Sequence, residues 1–186
     1  MPGSIKEMNK QRTNAAERYK AQIRALHQRG IGVLAMFTFG FDEDTPDVFE
    51  RTLAFCDEAD LFGASFGILT PFPGTPTFAK LEAAGRIRTR DWRLYDLQHT
   101  VFDLPGWPPG TLEAGVYGIE SRFYGWRAFL RRTWKLRKYP RLLRPANLLL
   151  YVVVNFQYFA TLRRRRRGLA VNGAVLPHAD PLPATN

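Results

Sequence analysis

Two loops concentrate the residues able to do chemistry. The first reads Gly40-Phe41-Asp42-Glu43-Asp44-Thr45-Pro46-Asp47, and its four carboxylates could gather a hard cation. Helix initiation explains the same residues and is the reading we adopt. Thr45 caps, Pro46 takes the first helical position, and the acids face the positive end of the helix dipole. The second loop reads Thr70-Pro71-Phe72-Pro73-Gly74-Thr75-Pro76 and repeats the Thr-Pro device. His27 and His99 stand apart from each other and from other ligand types, as ordinary surface or satisfied histidines do. The one cysteine, Cys56, excludes an internal disulfide framework and any multi-cysteine metal site within this chain. Its helical spacing from Phe49, Thr52 and Leu53 marks a packed core thiol.

The elements that position these loops follow from periodicity. Residues 31–39 form a continuous apolar run, which predicts a central strand buried on both faces. Residues 46–59 read as a helix with Val48, Thr52 and Phe55 on its buried stripe, and 64–69 as a second strand. Strand, loop, helix, strand, loop is a βαβ unit, and such units carry function at the carboxyl ends of their strands. Before it, 14–29 reads as a helix with Tyr19, Ile23 and Leu26 on one face and Gly30 as its stop. After it come a helix from Thr75 to Gly85, a further strand over 99–104, and a turn-rich linker over 105–110. A long aromatic helix is predicted over 111–138, broken at Pro140. Residues 145–162 are strongly apolar but near the lower length limit for a bilayer span, and Asn147, Asn155 and Gln157 interrupt them. A core-packing or interface-lying helix is expected there, and a disordered tail after Gly168.

Charge divides the chain. Residues 1–120 hold 13 Lys/Arg against 16 Asp/Glu, and residues 121–186 hold 14 Lys/Arg against Asp180 alone. The basic rear, with Arg163, Arg164, Arg165, Arg166 and Arg167 in succession, points to an anionic partner. An anionic membrane surface is preferred to nucleic acid, and a merely solvated tail is the bland alternative. The polar start, MPGSIKEMNKQR, contains no apolar signal-peptide core, which makes a cytoplasmic protein the expectation, peripheral at the inner membrane face if the rear docks there.

Over residues 4–138 the words GIGV, FGFDEDTPDVFERTLAF, ILTPFPGTP and LEAAGRI, in this order, resemble the later part of a radical S-adenosylmethionine (SAM) barrel. The likeness is to the class with an N-terminal cobalamin-binding domain, which includes methyltransferases. The resemblance implies an α/β fold: the later βα units of a partial TIM-like barrel over 1–104, a linker and aromatic helix over 105–140, an apolar and basic helix over 141–168, and a tail over 169–186. It also implies SAM contacts at Lys10, Thr38, Gly40, Leu69, Thr70 and Pro71, where Thr38 replaces the family's usual aliphatic residue. The residues themselves equally allow strand packing at Thr38 and a turn at Gly40. The family's CxxxCxxC motif for a [4Fe–4S] cluster is absent, as is the cobalamin domain. The expectation is a C-terminal piece, inactive alone, whose partner is the missing N-terminal half. A non-catalytic basic module that docks on membrane or nucleic acid is the alternative.

Overall fold

The protein is described by a computed structural model that covers residues 16–172. Helix α1 (Ala16–Gln28) buries Ile23 and His27 and ends where Gly30 adopts φ +85°. The Gly30 N–H donates to His27 O at 2.9 Å, and that of Ile31 to Leu26 O at 3.0 Å, which satisfies carbonyls left over at the helix end. Strand β1 (Leu34–Phe39), helix α2 (Val48–Glu58) and strand β2 (Gly63–Ile68) form the expected βαβ unit. The strands are parallel, in register from Leu34 opposite Gly63 to Phe39 opposite Ile68. Helix α3 (Pro76–Ala83) opens as predicted: Thr75 Oγ1 accepts from the Phe78 N–H at 3.2 Å and Pro76 begins the helix. Three further α-helices follow among the described residues, α4 (Thr111–Phe123), α5 (Trp126–Lys135) and α6 (Pro145–Asn172), with short 3-10 turns between α5 and α6.

The result is a mixed α/β structure with a small two-stranded parallel sheet. One face of that sheet makes the core. Phe37, Phe39 and Phe66 lie on it; Phe49 of α2 packs on Phe39 at 4.8 Å between ring centroids, and Phe123 of α4 on Phe66 at 5.6 Å. A second cluster joins Phe62 to Leu136, Tyr139, Leu142 and Tyr151, and fastens the rear of the chain to the sheet.

Several elements differ from the sequence reading. β1 starts at Leu34 because the preceding residues stay tied to α1, with the Val33 N–H donating to His27 Nε2 at 3.3 Å. It is not covered on both faces: Met36 is 80% exposed. α2 begins at Val48 with Asp47 as its N-cap; Pro46 stays in the preceding turn, and the Thr45 hydroxyl donates to Asp47 rather than capping. No strand forms over 99–104. That segment makes an isolated antiparallel bridge, Ile87 with Phe102, because the Thr100 N–H turns away to Glu113 Oε1 at 2.9 Å. The helix predicted over 111–138 is two, separated at Gly125, whose φ −61° and ψ 151° are extended. The Tyr124 hydroxyl is held by Ala64, which ends α4 against β2. Residues 169–172 continue α6 rather than joining a tail; Lys10 and 173–186 lie outside the described residues.

Candidate functional site

The carboxyl ends of β1 and β2 are knitted together by the Leu69 N–H, which donates to Phe39 O at 2.8 Å. Gly40 then turns at φ +103°, a left-handed conformation suited to glycine. Asp44 fixes that turn. Its buried Oδ2 accepts from the N–H groups of Gly40 (3.0 Å) and Phe41 (3.1 Å), and its carbonyl accepts from Trp107 Nε1 at 3.1 Å. Asp42 takes a two-pronged bond from Arg86, at 2.6 and 3.1 Å, with Lys80 at 3.5 Å. The Arg86 hydrogen bonds hold its carboxyl below the usual aspartate range. The acidic loop thus spends Asp44 on backbone shape and Asp42 on an ion pair.

The six residues implied as SAM contacts are placed unequally. Thr38 is exposed and Leu69 half-buried at the strand ends. Gly40, Thr70 and Pro71 are buried. A Cβ on Gly40 would meet Leu112 Cδ2 at 3.0 Å and Phe102 Cζ at 3.6 Å, and the Thr70 hydroxyl donates to Ile68 O at 3.2 Å. The structure therefore brings Thr38, Gly40, Leu69, Thr70 and Pro71 to one end of the sheet. Only Thr38 and Leu69 among these five keep appreciable accessible surface.

The sheet face that carries Thr38 is exposed along β1, while Val154 of α6 approaches its β2 side at Gly63. Thr38 lies opposite Gly67 and Met36 opposite Ser65, so Met36 is the one large side chain among these four. Leu97, at φ +66°, overhangs it and accepts from the Ile68 N–H at 2.7 Å. A cavity of about 90 Å³ lies beyond Phe102 and Leu112, between Thr100 and Glu113. Thr100 Oγ1 and Glu113 Oε2 are buried without hydrogen-bond partners. Another cleft, of about 480 Å³, lies near Asp60, which precedes β2. There Asp60 accepts from Tyr139 (3.0 Å) and pairs with Lys135 (3.1 Å) and Lys138 (3.4 Å), an arrangement that ties the rear of the chain to the βαβ unit.

The isolated groups also have definite places. His27 is buried, and His99 pairs with Asp96 at 3.0 Å. Cys56 is fully buried, and burial pushes its thiol up to about 12. Sequence reasoning placed Asp44 among acids facing the helix dipole rather than on the Gly40 and Phe41 N–H groups, and did not single out Tyr124 or Arg132. Asp44 carried a local signal, a short acidic side chain just after a glycine turn. Arg132 carried none: it is buried over the Phe123 ring at 3.9 Å, bonded to Phe123 O and, at 2.5 Å, to Asn155 Oδ1.

The chain is similar to parts of several longer proteins, among them two methyltransferases and a cyclase. It is 37% identical over 102 residues to bacteriochlorophyllide d C-12(1)-methyltransferase of Chlorobaculum tepidum, which covers 55% of this chain and 22% of that protein. It is 26% identical over 179 residues to the C-8(2)-methyltransferase of the same organism, covering 96% of this chain and 39% of the relative. It is 30% identical over 125 residues to the anaerobic magnesium-protoporphyrin IX monomethyl ester cyclase of Cereibacter sphaeroides, covering 66% and 20%. The chain therefore spans between about a fifth and two fifths of the curated relatives it matches here. No protein-family model matches it. No solved structure matches it. The chain thus resembles part of two methyltransferases, at low identity.

Proposed function

We propose that this chain is the C-terminal part of a cobalamin-dependent radical SAM enzyme of methyltransferase type, and that it requires an N-terminal half for activity. One observation carries the reading. Among the described residues β1 is a parallel strand with a single strand neighbour and a second face exposed at Leu34, Met36 and Thr38, although parallel strands are normally flanked and covered. In this reading the N-terminal half adds strands to β1 and completes a barrel whose interior is the open sheet face. The likeness to methyltransferases that extend well beyond the aligned region supports it.

The strand ends fit SAM in part. Thr38 and Leu69 are accessible enough to touch it, whereas buried Gly40, Thr70 and Pro71 fit a shaping role behind them. Asp44 then acts as a positioning residue, because it holds the Gly40 and Phe41 N–H groups. Lys10 is proposed beside the SAM ribose or carboxylate. Bound SAM supplies an activated methyl group and, with a reduced cluster, a carbon-centred radical. The cluster needs three thiolates and this chain has one cysteine, so the cluster and the cobalamin are assigned to the N-terminal half. Three relatives are named for tetrapyrroles, which makes a flat tetrapyrrole acid the first substrate class to try.

The test begins in the genome. The reading frame upstream should encode CxxxCxxC, and its product co-expressed with this chain should give a complex. That complex should hold about four irons per cluster and show SAM-dependent methylation. A chain that takes up the same iron alone, or an upstream frame without the motif, overturns the reading. The second reading, a non-catalytic basic docking module, rests on the exposed apolar side of α6 and would then stand alone.

A further inference from the structure

Helix α6 is held to the body by one narrow stripe. Asn147 Nδ2 donates to the carbonyls of Gly30 (3.0 Å) and Arg141 (3.1 Å). Tyr151 and Asn155 are buried, and Tyr158 stacks on Tyr124 at 4.5 Å between centroids. The spacing of these residues is that of one helix face. On the other side Leu149 is 65% and Phe156 67% exposed, with Val152 and Val153 exposed beside them. Its neighbour α5 exposes Trp126, Leu130 and Trp134 at successive turns. Arginines sit over both indoles, Arg127 at 5.5 Å from Trp126 and Arg137 at 4.2 Å from Trp134. The α6 backbone then runs on through the five arginines at 163–167.

We propose that α5 and α6 form a docking surface for an anionic lipid bilayer, with α6 lying in the interface plane. Charge complementarity selects this occupant. Residues 121–186 hold 14 Lys/Arg against one Asp, so a second copy would bring like charge to like charge. Nucleic acid would satisfy the arginines but leave Leu149 and Phe156 in water. Lipid meets both needs, since apolar side chains enter the acyl boundary while arginines meet acidic headgroups. Trp rings beside guanidinium groups are suited to the same boundary. By length and composition Pro145–Leu162 could cross a bilayer. Crossing would carry the Asn147 and Asn155 stripe, with buried Arg132 attached, into hydrocarbon, which is costly. This surface is independent of the catalytic reading above.

Vesicle flotation of the full chain, and of its complex with the upstream product, tests the surface. Both should bind phosphatidylglycerol–phosphatidylcholine vesicles, release with salt, and ignore pure phosphatidylcholine. Arg163→Gln through Arg167→Gln together should weaken binding by at least about tenfold. The pair Leu149→Ser and Phe156→Ser, exposed positions whose change should leave the circular dichroism intact, should abolish it. Equal binding to neutral vesicles, or none to acidic ones, overturns the proposal. So does undiminished binding by the Leu149/Phe156 variant, a dimer that this variant dissolves, or tight duplex-DNA binding in place of vesicle binding.

Discussion

At His27, burial and hydrogen bonding make a pH-dependent brace. The ring is fully buried, accepts from the Val33 N–H through Nε2, and packs edge-on against Tyr139 at 5.1 Å, while Nδ1 has no partner. Burial lowers its pKa from 6.5, partly opposed by the Asp60 carboxylate. A base whose folded-state pKa is depressed takes its proton more readily when unfolded. Its contribution to stability is therefore complete above 6.5 and lost as pH falls through the folded-state value. Urea unfolding between about pH 7.5 and 5 should show declining stability, and His27→Gln should flatten the decline. An identical slope in the variant would show that another group is responsible. Tyr124 makes a different contribution at the same scale. Its hydroxyl donates to Ala64 O at 2.5 Å and accepts from Ala64 N–H at 3.1 Å, and so satisfies the outward backbone groups of a β2 residue. Tyr124→Phe leaves both buried groups unpaired and should cost about 1–3 kcal/mol, read as a lowered urea midpoint with unchanged slope. A midpoint within error of the parent would mean that water replaces the hydroxyl.

Among the elements, α2 and α4 cross closely at Gly115. A Cβ on Gly115 would collide with the Phe49 ring, which is itself wedged between Phe39 and Trp107. Gly115→Ala would gain helix propensity but must displace that ring, so overpacking should dominate and destabilise by about 1–3 kcal/mol. A stabilised variant in thermal unfolding would mean that the ring moves freely. Elements set by local chemistry were legible before any fold was known. The Thr75–Pro76 start, the Gly30 stop and the α2 stripe needed only caps, φ preferences and 3.6-residue periodicity. Elements decided by distant partners were not. The break at Gly125 follows from Tyr124, anchored 60 positions away at Ala64, and the lost strand at 99–104 from Glu113 drawing off the Thr100 N–H. The candidate site divides in the same way. Its two strand-end loops were found from glycine, proline and acid spacing. The burial of Gly40 under Phe102 and Leu112 depends on segments that return from later in the chain.

At the scale of the whole molecule, two surfaces stand without cover among the described residues, and they differ in kind. The α5–α6 surface is apolar and strongly basic, so copies repel there. The β1 edge lies in the part of the chain where acids outnumber bases by 16 to 13, with too little net charge to keep copies apart. The two edges of the sheet are also unequal. β2 has its outer backbone groups engaged by Tyr124 at Ala64 and by Leu97 at Ile68, whereas no strand pairs with the outer edge of β1 among the described residues. An unpaired edge with apolar Leu34 and Met36 exposed beside it is a template for another strand. The isolated chain should therefore self-associate through β1, as a concentration-dependent shift in sedimentation velocity. Met36→Lys, which places a charge on the bare face at an 80% exposed position, should return it to monomer without loss of stability. Leu149→Ser with Phe156→Ser should leave the association unchanged, because that pair lies on the basic surface. Amide exchange should find 34–39 weakly protected in the Met36→Lys monomer and protected in the parent. A parent chain that stays monomeric, with strong protection across 34–39, would mean that the edge is already satisfied, and would remove the main support for a completing N-terminal half.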